Sequence, residues 1–185
     1  MFSIRSLTSN RVSLQPFSER HLDARAHYQG LSKVARYLYR PPLTPDASRE
    51  SALANRDRRF ECPGDCLLFS VVSNEDDTLL GEVVATLENA NAGQIEIGWI
   101  FDPRSAGRGY ATEAAKMLLA YLFTEKNAHR VFARLDAEND ASRRICERLG
   151  MREEAHLIEN DRDGERWGSE YVYAMLAREF EATSL

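Results

Sequence analysis

The sequence predicts a mixed α/β domain in which helices cover a central, mostly antiparallel sheet. One observation is a meander, because three apolar runs at residues 66–72, 79–87 and 95–101 are joined by short polar turns, a spacing typical of antiparallel strands. A second is the long amphipathic helix that follows, since a helix between two strands allows them to lie parallel. The predicted order of elements is β-α-α-β-β-β-α-β-α-β-β.

Composition restricts the class of protein. The chain has 185 residues, 43% of them hydrophobic and 29% charged, which suffices for one domain with a substantial core. The net charge of −5 excludes a basic nucleic-acid footprint over the whole chain, and no apolar run approaches membrane-spanning or signal-peptide type. Three cysteines, an odd number, do not suggest a disulfide framework. We therefore expect a cytoplasmic protein in a reduced state that binds neither nucleic acid nor membrane.

The first third of the chain predicts one strand and two helices. Residues 12–17 alternate between apolar and polar side chains, as in a half-buried strand. Ser18 is a candidate N-cap for a helix that reaches about Gly30. Prolines at 41, 42 and 45 interrupt the chain, and a further helix is expected from Asp46 to about Phe60.

The second half predicts two helices and three more strands. A strand at 130–136 leads to a short helix at 139–149, with Asn139 as N-cap and Gly150 just past its end. Two strand-like runs at 151–159 and 170–176 end the pattern. The long helix before them is predicted by apolar residues at helical spacing, namely Ala111, Ala114, Ala115, Leu118, Leu119, Leu122 and Phe123.

The segment between the strand at 95–101 and the long helix has the pattern of an anion-binding loop. Gly107 and Gly109 permit backbone conformations and close approaches that other residues resist. Free amides and the dipole at a helix start favour an anion, so the loop would form a phosphate cradle, with positive charge from Arg104 and Arg108. The alternative is that the glycines only make a tight turn into a packing helix. The chain has neither a G-x-x-x-x-G-K-[ST] motif nor a full G-x-G-x-x-G motif, which excludes a P-loop and a Rossmann start.

This loop resembles the coenzyme A-binding motif of the GNAT superfamily of N-acetyltransferases. The similar residues are Arg104-x-x-Gly107-x-Gly109 followed by Tyr110-Ala111-Thr112-Glu113-Ala114. Asn139-Asp140-Ala141-Ser142 and Leu149-Gly150-Met151 resemble the N-x-x-S … L-G-F segment of the family, with Met in place of Phe. The resemblance covers residues 11–180 and implies an N-terminal extension at 1–10, a GNAT domain at 11–180 and a C-terminal tail at 181–185.

The end of the chain resembles one branch of the family. Residues 163–176 are similar to the closing hairpin of the RimJ/RimL-like branch, which includes enzymes that acetylate N-termini of ribosomal proteins. The branch often has Trp-x-Asp before its last strand, whereas this chain has Trp167-Gly168-Ser169, with Arg166 inserted beside the turn. This departure affects any substrate contact inferred from the loop.

The resemblance implies a GNAT fold, with a mostly antiparallel central sheet, one parallel and splayed strand pair and about four helices. It implies direct transfer of an acetyl group from acetyl-CoA to a primary amine, with no acyl-enzyme and no metal. Backbone amides of residues 107–111 would hold the pyrophosphate, and Asn139 would contact the pantetheine arm or act only as a helix cap. The predicted coenzyme-binding residues are Phe101, Pro103, Arg104, Gly107, Arg108, Gly109, Tyr110, Ala111, Thr112 and Asn139.

The resemblance also assigns a general acid, and the residues suggest a base. Ser142 is the predicted acid for the leaving thiolate, with a helix-start serine that bonds only to backbone as the alternative. Glu96 is the predicted base, with a structural carboxylate as the alternative and Glu159 and Asp161 as further candidates. At neutral pH a lysine amine of pKa about 10.4 loses its proton at a cost of about 4 kcal/mol, and an α-amine of pKa about 8 at under about 1 kcal/mol. The lack of an unmistakable base therefore favours an α-amine acceptor.

Other functions remain open on these residues. The acceptor can be a protein N-terminus, an amino acid, a polyamine or an antibiotic. Tyr28, Tyr37, Tyr39 and Phe60 are candidates to line its pocket. A second possible function is a non-catalytic acyl-CoA-binding sensor, which would also need Gly107 and Gly109. A third is an interaction module without a ligand, which would give no reason for the glycine-arginine loop. We expect a monomer or a homodimer.

Overall fold

An eight-stranded mixed sheet forms the centre of the computed structural model, which describes residues 5–54, 60–164 and 166–183. Its strands lie in the order β1-β2-β3-β4-β5-β6-β8-β7, and β5–β6 is the one parallel pair among the described strands. The predicted mixed sheet with a single parallel pair is therefore confirmed. The strands are β1 (Leu7–Thr8), β2 (Val12–Pro16), β3 (Cys66–Ser73), β4 (Leu79–Asn89), β5 (Gln94–Phe101), β6 (Arg130–Asp136), β7 (Arg152–Asp163) and β8 (Arg166–Leu176).

Six helices accompany the sheet in the described ranges, and four of them, α1, α3, α4 and α5, have eight residues or more. No helix within these ranges is long and apolar enough to cross a membrane. The helices are α1 (Leu22–Gln29), α2 (Ser32–Ala35), α3 (Pro45–Leu53), α4 (Tyr110–Thr124), α5 (Asp140–Arg148) and α6 (Ala177–Thr183). The sequence pattern does not predict β1, α2 or α6, which have two, four and seven residues and are too short to show a period.

Two details of the predicted N-terminal helices are wrong. The Ser18 side chain makes no capping bond, because a 3-10 turn (Glu19–His21) comes before α1. α3 begins at Pro45 rather than at the next residue, since the Thr44 side chain caps it by accepting a hydrogen bond from the Ala47 amide. It ends at Leu53, and residues 55–59, over which the prediction extended it, lie outside the described part of the chain.

The sheet has a core face and an opposite face, because successive side chains of a strand point to opposite sides. On the core face, Ile97 of β5 and Leu118 of α4 belong to the main buried cluster. On the opposite face, Leu22 of α1 and Ala52 of α3 form a second cluster with Leu68 of β3. The core face of the sheet is therefore covered by α4 and α5, and the opposite face by α1 and α3.

β5 and β6 separate toward their carboxyl ends. They pair over three residues of each strand, ending with Glu96 opposite Phe132. β5 then continues to Phe101 beside β4 alone, and β6 continues to Asp136 beside β8 alone. A gap therefore opens between the two parallel strands, next to the loop that follows β5, and the expected splayed pair is confirmed.

A buried ion pair fixes α1 to the opposite face. Glu82 of β4 and Arg25 of α1 are 5% and 4% exposed. Arg25 Nε and Nη2 donate to the Glu82 carboxylate at 2.6 and 3.0 Å, and the Tyr28 hydroxyl and Gln29 amide each donate to it at 2.8 Å. A buried carboxylate is tolerated when its charge is paired and its oxygens accept hydrogen bonds. Tyr28 therefore lies in the core and lines no amine pocket.

Candidate active site

A tight loop joins β5 to α4. A 3-10 turn (Pro103–Ser105) is followed by Gly107 and Gly109, whose φ angles of +76° and +80° lie in the left-handed region. These angles favour glycine, because a side chain is strained there. Gly109 is the N-cap of α4, which begins at Tyr110. The glycines thus make a tight turn, and they make it directly at a helix start.

The amide groups at the start of α4 fit an anionic ligand. The first backbone bond from the helix to the loop runs from the Glu113 amide to the Gly109 carbonyl, at 3.1 Å. The amides of residues 110–112 precede it and, as in any α-helix, have no partner inside the helix. A Cβ on Gly107 would meet nothing within 4 Å, so open space adjoins the loop. A pyrophosphate group such as that of coenzyme A fits these donors, because such amides bind phosphates.

The two arginines of the loop have different partners. Arg104 forms an ion pair with buried Asp102, its Nε and Nη2 lying 2.9 and 2.6 Å from Oδ2. Burial raises the pKa of Asp102, but hydrogen bonds from the Arg104 side chain and amide outweigh this effect and leave the pKa below its usual value. Arg108 lies over the Tyr110 ring, 4.9 Å from its centre, and forms no ion pair with a described residue. Among the described residues, Arg108 is therefore the loop arginine without an ion-pair partner.

Side-chain contacts between the N-terminal segment and α4 stabilise the loop. Arg11 Nε and Nη2 lie 2.8 and 2.5 Å from Oε2 of Glu113, and the Ser9 hydroxyl donates to Oε1 at 2.7 Å. Arg11 Nη1 also donates to the Arg108 carbonyl at 2.9 Å. Sequence reasoning missed this contact, since its partners are 102 residues apart and no local pattern connects them.

The start of α5 carries the predicted acid. Asn139 caps the helix, its Oδ1 accepting a hydrogen bond from the Ser142 amide at 3.1 Å. The Ser142 hydroxyl oxygen accepts a second bond from Nε1 of Trp99, also at 3.1 Å. Trp99 lies in the part of β5 that has already separated from β6. Sequence reasoning missed Trp99, although a partly buried indole N–H usually finds an acceptor.

Glu96, the predicted base, lies on the opposite face. It is partly buried, and its carboxylate makes no hydrogen bond with any residue in the described ranges. Burial raises the pKa of its carboxyl, the charge of Arg134 opposes this, and Glu88 and Glu170 raise it further. Arg134 is itself paired with Glu170 at 2.7 Å. The environment therefore makes Glu96 a stronger base than an ordinary carboxylate.

Ser169 organises the late hairpin. Its hydroxyl accepts from the Glu159 amide at 3.0 Å, and its carbonyl accepts from the Ala137 amide at 2.8 Å. The Tyr39 hydroxyl donates to the same carbonyl at 3.4 Å. Glu159, a further candidate base, has a φ of +49° and lies with Asp161 on the edge strand β7. Ser169 therefore holds backbone at the irregular part of this hairpin.

The four aromatic pocket candidates lie apart. Tyr28 is in the core, and Phe60 packs against the main buried cluster. Tyr37 lies beside Arg36, whose guanidinium carbon is 5.0 Å from the ring centre. Tyr39 reaches β8, which makes it the aromatic of this set that touches the hairpin.

The gap between β5 and β6 separates the two predicted catalytic groups. Trp99 is opposite Val83 of the core, so that it and its partner Ser142 lie on the core-face side. Glu96 projects to the other face, between the buried Ile95 and Ile97. A substrate that passed through the gap would meet Ser142 from one face and Glu96 from the other.

Comparisons with known proteins agree with this architecture. Residues 11–152 match the family model of the acetyltransferase (GNAT) domain. The uncharacterized N-acetyltransferase YnaD of Bacillus subtilis is 30% identical over 174 residues, which are 94% of this chain and 98% of that protein. A GNAT-family acetyltransferase structure from Bacillus anthracis has a TM-score of 0.85 at 29% identity and covers 95% of this chain and 100% of its own.

One similar structure contains ligands. The spermidine N-acetyltransferase of Vibrio cholerae in complex with CoA and spermine has a TM-score of 0.81 and covers 92% of this chain and 98% of its own. At 20% sequence identity, this structural similarity shows a shared fold and nothing more specific. The family match and the N-acetyltransferase relatives agree with the loop, the splayed strands and the sheet topology described above. The chain therefore belongs to the GNAT family of acetyltransferases and is an acetyl-CoA-dependent N-acetyltransferase.

Proposed function

We propose that this enzyme transfers an acetyl group directly from acetyl-CoA to a primary α-amine, such as the N-terminus of a protein or peptide. The observation that carries the proposal is the state of Glu96, a partly buried carboxylate beside the strand gap without a hydrogen-bond partner in the described chain and with a raised pKa. It can take a proton, but it remains a weak base. An α-amine suits such a base, because its deprotonation at neutral pH costs under about 1 kcal/mol, against about 4 kcal/mol for a lysine amine.

The residues of the loop would bind the coenzyme. The amides of residues 110–112 and the guanidinium of Arg108 would hold the pyrophosphate, and the open space at Gly107 leaves the approach free. Phe101 and Pro103, at the end of β5, would line the pantetheine arm where the strands separate. Thr112 and Arg104 complete the proposed set, together with Asn139 in addition to its observed cap.

The chemistry needs a proton acceptor and stabilisation of the leaving sulfur. Acetyl-CoA supplies a thioester, in which the bond from carbon to sulfur breaks as the bond from amine nitrogen to carbon forms. Glu96, directly or through water, would take the proton that the nitrogen loses. Ser142 would donate its hydroxyl proton toward the sulfur, which departs with the electron pair. Since a thiol titrates near about 8.5, the thiolate is a fair leaving group, and Ser142 would accelerate the step rather than enable it.

Small polycationic amines are a second candidate acceptor class. The charges of Glu88 and Glu170 both act on Glu96, and Arg134, which pairs with Glu170, is the cation beside these three carboxylates. A surface with more carboxylates than cations attracts a cationic acceptor. The Vibrio cholerae structure with spermine supports this alternative at the level of a shared fold.

The branch and the compartment are also proposals. The similarity of residues 163–176 supports the RimJ/RimL-like branch, although Ser169 replaces its Asp. None of the three cysteines, Cys62, Cys66 and Cys146, forms a disulfide in the described structure, which supports a reducing compartment such as the cytoplasm.

Turnover over an amine panel tests the proposal. CoA release would be measured with lysine-free peptides carrying free or acetyl-blocked N-termini, with lysine side-chain substrates and with polyamines. Exposed Cys62 reacts with thiol reagents, so the assay should use a Cys62→Ser variant as its background control. We expect turnover that needs a free α-amine. Turnover confined to polyamines would replace the main proposal by the second candidate.

A further inference from the structure

We propose that Trp99 is the positioning residue for Ser142, an inference that rests on the proposed role of Ser142 at the leaving sulfur. The indole Nε1 of Trp99 lies 3.1 Å from the Ser142 hydroxyl oxygen. The two residues are 43 positions apart and belong to different elements, β5 and α5. Packing of the ring against the main cluster explains its burial but not the direction of its N–H.

The donor properties of the two groups define what the bond does. An indole N–H can only donate, whereas a hydroxyl has one proton and two lone pairs. Ser142 must therefore accept from Trp99, and its own O–H stays available for another acceptor. The Ser142 amide is already committed to Asn139 at 3.1 Å. The side-chain oxygen is thus held from β5 while the backbone is held by the helix cap.

The bond also spans the separation of the strands. Trp99 is on β5 beyond Glu96, where the pairing with β6 has ended, and α5 follows β6 along the chain. Both side chains are only partly buried, so that a ligand atom in the gap can reach the hydroxyl. Without the indole donor, a serine in the first turn of a helix tends to bond with backbone carbonyls of its own helix. Trp99 would then keep the hydroxyl oxygen directed toward the gap.

Two tryptophans make the test specific, because the chain contains only Trp99 and Trp167. Trp99→Phe keeps an aromatic ring and removes the N–H. Trp167→Phe is the matched control for the loss of an indole, since Trp167 is 55% exposed on β8 and makes no hydrogen bond with Ser142 in the described structure. We expect kcat to fall about tenfold in Trp99→Phe, as for one lost hydrogen bond of about 1.4 kcal/mol. KM for acetyl-CoA should stay unchanged, and Trp167→Phe should leave kcat at saturating acceptor unchanged, whatever its effect on KM for the acceptor amine.

The double variant separates positioning from a general effect on folding. If Trp99 acts through Ser142, Trp99→Phe/Ser142→Ala should be no slower than Ser142→Ala alone. Losses in kcat that multiply would overturn the inference while leaving the proposed function intact. A wild-type enzyme without turnover on any amine would instead overturn the proposed function, and the role of Trp99 with it.

An independent readout tests the bond itself, even if Trp99→Phe fails to fold. Proton–nitrogen NMR of the wild-type enzyme should show two indole N–H resonances, which Trp167→Phe assigns. Ser142→Ala should move the Trp99 resonance upfield and leave that of Trp167 in place. An unmoved Trp99 resonance would overturn the inference.

Discussion

A Cβ atom on Gly168 would lie 2.2 Å from the hydroxyl oxygen of Tyr39. The glycine therefore lets Tyr39 lie directly on β8, where its hydroxyl donates to the Ser169 carbonyl at 3.4 Å. Burial, followed by the nearby carboxylate of Asp136, raises the pKa of Tyr39 and keeps its hydroxyl neutral. This contact joins the segment after α2 to the strand that carries Glu170. Since Glu170 is one of the carboxylates proposed to attract the acceptor, we infer that Tyr39 lines the acceptor pocket.

Gly168→Ala is expected to displace the Tyr39 ring and raise KM for the acceptor amine about tenfold, the equivalent of about 1.4 kcal/mol. The Kd of acetyl-CoA should not change, because the coenzyme loop lies on other elements. Steady-state kinetics with varied acceptor provide the measurement. Tyr39→Ala/Gly168→Ala is the control, since it removes the collision and should match Tyr39→Ala alone. If the increases in KM of the two single variants multiply in the double variant, Gly168 affects acceptor binding by a route other than the position of Tyr39.

Gly109→Val is expected to weaken acetyl-CoA binding about tenfold or more. The substitution strains a residue whose φ is +80°, adds a side chain at the N-cap of α4, and puts its Cβ 3.5 Å from Arg11 Nη2. Gly64→Val is the matched control, because Gly64 has a φ of +87° and a Cβ there meets nothing within 4 Å. Titration calorimetry would measure both Kd values. Equal losses in the two variants would contradict the phosphate-cradle assignment.

Glu82→Gln is expected to lower the free energy of unfolding by about 3–5 kcal/mol, because it leaves Arg25 buried without its counter-charge. Asp77→Asn is the control at an exposed pair, where Arg20 Nη1 lies 2.9 Å from the carboxylate and the expected loss is at most about 1 kcal/mol. Urea unfolding would measure both. Arg25→Met in the Glu82→Gln background should recover part of the loss. A cost for Glu82→Gln no larger than that of the control would refute the anchoring role.

Acidification is expected to destabilise the protein through His21. This residue is 5% exposed, its Nδ1 lies 2.8 Å from the Ser70 hydroxyl, and its Nε2 has no partner in the described structure. Burial lowers the pKa of His21, and Arg20 lowers it further against a weaker opposing effect of Asp77. The unfolded chain therefore binds a proton below about pH 6.5 that the folded chain does not.

The sign of this effect is measurable. The His21 contribution to the free energy of unfolding should be complete above about pH 6.5 and should decline as the pH falls toward the lowered folded-state pKa. Urea unfolding between about pH 8 and pH 5 would follow it. His21→Gln should lose this component of the pH dependence. An unchanged slope in His21→Gln would assign the effect to other groups.

The strongest sequence signals were local. The meander, the long helix and the glycine loop were predictable, because a period of two or 3.6 residues and the backbone freedom of glycine are properties of neighbouring residues. The cap at Asn139 was predictable for the same reason, and the structure has it. The start of α3 was missed by one position, because Thr44 and Asp46 are both acceptable caps and only the local backbone chose between them.

By itself, then, the sequence determined the order of the longer elements, the glycine loop before α4 and the family. The tertiary structure alone decided that Trp99 meets Ser142, that Arg11 clamps Glu113, and that Tyr39 rests on Gly168. The physical reason is that these contacts join residues from 43 to 129 positions apart. Their partners are selected by which strands neighbour each other and which face each side chain occupies, and no periodicity along the chain encodes that choice.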